Sequence, residues 1–169
     1  MDTSKIATTN QKLLSIKLHL QHSQQVLAEG DHPSLQQTFN QAISFHFQLA
    51  YVAFLQEVAT DYQIGSADVA SFAQLEQQLE KRDIVSQECS MLAELECDSS
   101  SWLSVMLRSY QNCWPAGFSA NGKVKLDPVA NSLIQFSDVS EHYSSAQYQH
   151  SYQQLYSLVQ RYRDLMQEW

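Results

Sequence analysis

Residues 42–59 read AISFHFQLAYVAFLQEVA and form the most apolar run of the chain. Two residues break its chemistry: His46, an imidazole, and Glu57, a carboxylate. Positions eleven apart on an α-helix return to nearly the same angle after about three turns. His46 and Glu57 therefore share one stripe, together with Phe39, Ala50 and Ala53. Gln41, Ser44 and Gln48 lie on the opposite side, which is expected to face water. In a membrane, His46, Gln48, Gln56 and Glu57 would all sit in hydrocarbon with no second span to pair with them. The run reads instead as a buried helix of an all-α protein.

The two polar residues cannot bond each other, because eleven residues of helix rise about 16 Å. Each requires a partner from another helix, since an unpaired buried charge is costly. In an antiparallel hairpin turning near residue 31, His46 falls level with Ile16 to Leu18, which makes Lys17 and His19 its neighbours. Glu57 falls level with residues 5–9, which brings Lys5, Thr8 and Thr9 toward it. The alanines between them leave either close helix contact or a groove.

The preceding segment supports this hairpin. Ile6, Leu13, Leu20 and Leu27 recur every seven residues, with Ile16 between, and Leu14 and Leu18 add a second, weaker face. This predicts a helix over Ser4–Glu29 stopped by Gly30. Asp31 and Pro33 suit the start of the next helix, which should reach Tyr62 and end near Gly65. Ser66 is a candidate cap for a third helix carrying Val69, Phe72, Leu75 and Leu79. The charged EKRD at 80–83 marks either a kink or a break before helical spacing resumes. The serines of CDSSSW cap a helix beginning near Trp102 that is apolar on two sides and therefore wedged between neighbours.

From Ala116 to Phe136 the pattern is lost, and Asn121-Gly122 permits a small hairpin or an ordered loop. Asp138 and Glu141 have capping-box spacing. Beyond them Tyr148, Tyr152, Leu155, Val159, Tyr162, Met166 and Trp169 trace one apolar seam, with Trp169 expected to dock. The expected fold is a single-domain bundle of roughly four or five helices with one long irregular crossover before the last.

Composition narrows the function. The 169 residues carry a formal charge of −8 and no Lys/Arg cluster, which argues against nucleic acid and anionic membranes as partners. Cys89, Cys97 and Cys113 are odd in number and form no CxxC pair, as expected for reduced thiols in a cytoplasm. The polar N-terminus has no apolar core of a signal peptide. No Gly-rich phosphate loop or activated nucleophile is visible. Di-iron bundles pair Glu-x-x-His motifs on facing helices. The single such spacing here, Glu29 to His32, spans a turn and has no second copy. A three-histidine site would need His46 and two histidines from other helices, and no metal or cofactor is expected.

Three short motifs carry a resemblance: Asn10-Gln11-Lys12-Leu13, FHFQLAYVAFLQEVATDY at 45–62, and DSSSWL at 98–103. On these the chain resembles an uncharacterised family of small all-helical bacterial proteins of unknown function. The resemblance implies a helical cytosolic protein of unassigned role and directs attention to Asn10, Lys12, His46 and Glu57. The leading expectation is a non-enzymatic interaction or scaffolding protein that self-associates as a homodimer or binds a protein partner. Tyr143 and Tyr156, flanking the last seam, are candidate surface for it. The alternative is a small-molecule- or metal-binding bundle, an enzyme among its options, with a core polar pocket around His46 and Glu57.

Overall fold

In a computed structural model, residues 3–30, 33–65, 69–114 and 143–167 are described, and among them the chain is all-helical. Six helices follow in order: α1 (Thr3–Glu29), α2 (Pro33–Asp61), α3 (Phe72–Glu80), α4 (Gln87–Cys97), α5 (Trp102–Asn112) and α6 (Ser145–Gln167). The helix count exceeds expectation by one because EKRD is a break and not a kink. Leu79 and Glu80 close α3 through a reversal in which Asp83 takes positive φ (56°) and the Ile84 amide donates to the Leu79 carbonyl. A matching reversal ends α2, with Gln63 at φ 57° and the Ile64 amide bonded to the Ala59 carbonyl. These are six-to-one helix stops, each followed by an isoleucine that packs back on the fold. Arg82 reinforces the α2 stop by donating to the carbonyls of Tyr62 and Gln63 at the negative end of that helix.

α1 and α2 form the expected antiparallel hairpin. Thr9, Leu13, Ile16, Leu20 and Ser23 are the buried residues of α1, at intervals of 4, 3, 4 and 3. Leu27, expected on that seam, is 45% exposed, so the buried seam ends one turn earlier at Ser23, which is bonded across the hairpin to Gln36. Leu14 and Leu18 are 53% and 44% exposed, so the second face of α1 is open to solvent.

Local capping sets where the short helices begin. Ser71, Ser86 and Ser101 each accept a hydrogen bond from the backbone amide three residues on. Ser144 and Gln147 cap α6 reciprocally: the Ser144 hydroxyl accepts from the Gln147 amide, and Gln147 Oε1 accepts from the Ser144 amide. Asp31, Ser66, the 116–136 stretch, Asp138, Glu141 and Trp169 lie outside the described residues.

The α2 wheel is filled more completely than the sequence suggests. Ser44, expected to face water, is fully buried. α5 packs against α2, α4 and α6, and α6 also packs against α1. Of the side of α2 expected to face water, Gln41 is exposed and Gln48 half-buried, whereas Ser44 is covered by α5 and α6. Its hydroxyl is satisfied there: Ser44 Oγ lies 2.7 Å from Ser109 Oγ of α5 and 3.2 Å from Tyr148 Oη of α6, and Ser109 Oγ lies 2.9 Å from Tyr148 Oη. Three hydroxyls thus join three helices in a closed triangle. Tyr148→Phe removes one vertex while leaving Ser44 and Ser109 paired. Denaturant unfolding should register a loss of about 1 kcal/mol, the net worth of a buried neutral hydrogen bond.

Candidate functional site

The four polar positions singled out in the sequence fall into two clusters, each straddling the α1–α2 hairpin. Glu57 anchors the first. It is 1% exposed, and its carboxylate is held by Arg163 of α6 in a two-pronged pair. Arg163 Nε donates to Glu57 Oε1 at 2.6 Å and Nη2 donates to Oε2 at 2.9 Å. Arg163 Nη1 donates to Asn10 Oδ1 of α1 at 2.8 Å. The planar guanidinium suits this job, since its donors match both carboxylate oxygens and still leave one for an amide. Glu57 finds its partner on α6, whereas Lys5, Thr8 and Thr9 of α1 were expected near it. Thr9 is buried but satisfied within its own helix, bonded to the Lys5 carbonyl.

Arg163 is the residue that sequence reasoning missed. It lies four residues beyond Val159, on the edge of the α6 seam, next to the seam's Tyr162. An arginine at a seam edge, in a chain with one unpaired core carboxylate, was the available signal. Tyr162 flanks the pair, stacking edge-on against Phe54 at 5.5 Å between centroids and donating to Asp61 Oδ2.

His46 anchors the second cluster, and His19 is its neighbour as the hairpin register predicts. The two rings lie 4.8 Å apart between centroids at an interplanar angle of 61°. Phe45 also stacks edge-on against His46, at 5.7 Å between centroids. His46 Nδ1 is buried without a hydrogen-bond partner. A polar nitrogen left so costs roughly 1–3 kcal/mol. Burial, with the nearby charges of His19 and Lys12, holds the imidazole below its ordinary pKa, so that its neutral form is favoured.

Between the clusters, Ala50 and Ala53 are buried in the core, so the hairpin is closely packed there. An open groove elsewhere, between α3 and α4, is lined by Glu76, Leu79, Glu80, Ile84, Val85 and Cys89, and neither His46 nor Glu57 borders it. Tyr51 of α2 donates to Glu96 at 2.8 Å, and burial pushes that carboxyl's pKa up. Among the described residues no three His, Cys, Asp or Glu side chains converge as a metal-ligand set, and no helix is long and apolar enough to cross a membrane. His22 and His150 are exposed, and His32 and His142 lie outside the described residues.

The three cysteines are free thiols in graded environments: Cys89 buried, Cys113 half-buried, Cys97 exposed. Burial raises the thiol pKa of both Cys89 and Cys113. Neither of these two is thereby an activated thiolate.

The family-model comparison matches residues 1–169 to the family of unknown function DUF6586, and the chain belongs to that family. No curated protein and no solved structure matches it.

Two outcomes test this geometry. Glu57→Ala or Arg163→Ala alone should destabilise the fold by about 3–5 kcal/mol, since each strands a buried charge. The paired replacement Glu57→Leu with Arg163→Met should recover most of that loss in urea melts; a cycle with no recovery would remove the pairing. Iodoacetamide labelling followed by peptide mass spectrometry should modify Cys97 first, Cys113 next and Cys89 last. Early modification of Cys89 would contradict its burial.

Proposed function

We propose that this protein is a non-enzymatic interaction module that self-associates through the outer face of α1 and its edge with α6. The observation that carries this reading is the exposed pair Leu14 and Leu18, on a helix whose inner seam is already fully used. Contact between Asn10 and Arg163 fixes the level of α6 against α1. α2 and α6 run parallel, because Ser44 meets Tyr148 near one end and Glu57 meets Arg163 near the other. α6 is therefore antiparallel to α1. Two turns along each helix from the Asn10–Arg163 contact lie Lys17 and Tyr156, and Tyr156 is 47% exposed. Leu14, Leu18 and Tyr156 thus share one level of the molecule.

The rim around the leucines suits a second copy as the occupant. Beside the leucines, Gln11 and Gln21 supply an uncharged rim that a second copy of the same face meets without repulsion. Apolar side chains bordered by polar ones are the ordinary anatomy of an association surface. The internal pairing of Glu57 supports the same reading, because that carboxylate is already engaged. We place this role in the cytoplasm, with reduced thiols.

Native mass spectrometry of untagged protein should report a dimer that Leu14→Gln with Leu18→Gln converts to monomer without loss of helix content. A wild-type monomer at high micromolar concentration would overturn the proposal.

A further inference from the structure

We propose that His19 and His46 together form a binding site for a borderline divalent transition ion, with water completing its coordination. The pair comes from two facing helices, 27 positions apart in sequence, held by a hairpin whose packing fixes their separation. Ligands on rigid helices are arranged before the ion arrives. Two imidazoles sharing an ion at about 2.1 Å from each nitrogen put their ring centroids about 4.6–5.3 Å apart, for N–metal–N angles of about 90–110°. The observed separation is 4.8 Å. Histidine χ2 is broad, so ring rotation can carry the edge-on contact toward a shared ion.

A second observation points to a ligand here: His46 Nδ1 is a buried nitrogen with no partner. Either ring nitrogen ligates in the neutral form, and the other needs its own donor or acceptor. The donor set decides the ion. Imidazole suits zinc, copper and nickel, whereas magnesium and calcium require oxygen ligands. With two protein ligands and no third among the described residues, the ion is exchangeable and not a structural staple. Lys12 acts on His46 through its charge, which opposes a bound cation and keeps affinity moderate. This site is independent of the α1 association face, whose leucines lie on the outer side of that helix.

The test is a titration of untagged, full-length protein with Ni2+, followed by calorimetry and by paramagnetic broadening of the histidine ring signals. One ion per chain is expected, with His19 and His46 broadened first. His19→Ala and His46→Gln should each weaken binding at least tenfold, and His22→Ala should leave it unchanged. Lys12→Gln should tighten it about threefold, as removal of a partly screened like charge does. Broadening of His19 and His22 with His46 unaffected would overturn the proposal in favour of a chelate within α1. Binding insensitive to both His19→Ala and His46→Gln would overturn it outright. The broadening experiment uses the unmutated chain, so a variant that fails to fold does not decide the matter.

Discussion

A carboxylate placed in the most apolar helix of a protein must be neutralised, and the way Glu57 is neutralised organises the rest. Its partner Arg163 arrives from the other end of the sequence, 106 positions away. Because the guanidinium also reaches Asn10, one planar group ties α1, α2 and α6 at a single level. The geometry admits little slippage: a one-residue rotation of α6 would carry Arg163 about 100° away from Glu57. Buried charges of this kind add little net stability over an apolar replacement, yet they penalise wrong arrangements heavily. The hydroxyl triangle of Ser44, Ser109 and Tyr148 does the same for α2, α5 and α6 toward the opposite end of α2. Between these two polar clamps the core is filled by Phe47, Tyr51, Phe54, Leu55 and their neighbours.

The functional consequence is a division between inside and outside. Glu57, Arg163, Ser44, Ser109 and Tyr148 satisfy one another. His46 stands apart, with one buried nitrogen unmatched and a second imidazole beside it. Exposed apolar residues lie outside these clamps: Leu14 and Leu18 on α1, Tyr156 and Leu165 on α6, and Phe45 on α2. We read the protein accordingly, as a module whose surface associates and whose histidine pair holds an exchangeable ion.

Much of this was legible in the residues. The spacing of Leu13, Ile16 and Leu20, the antiparallel hairpin, the closeness of His19 to His46, and the inward direction of Glu57 all follow from helical periodicity and one turn position. Membership of a family of unknown function also matches the resemblance. Ser44 was misread because a helix wheel cannot show that two further helices close over its polar side. Leu27 was misread because a heptad pattern continues past the point where the partner helix stops covering it. Arg163 was overlooked because long-range pairing leaves no periodic trace. The EKRD segment left two outcomes open, since a kink and a break share the same local composition. The positive φ of Asp83 resolves it as a break.

The most direct test of the central claim is nuclear magnetic resonance of the Arg163 guanidinium in full-length protein. A guanidinium held by two bonds to a buried carboxylate should show a distinct Hε resonance, protected from solvent exchange, with contacts to side chains of both α1 and α2. The protection should disappear in Glu57→Gln. A rapidly exchanging Arg163 signal in the unmutated chain would contradict the account, because Glu57 would then lack the partner on which the arrangement of the three helices rests.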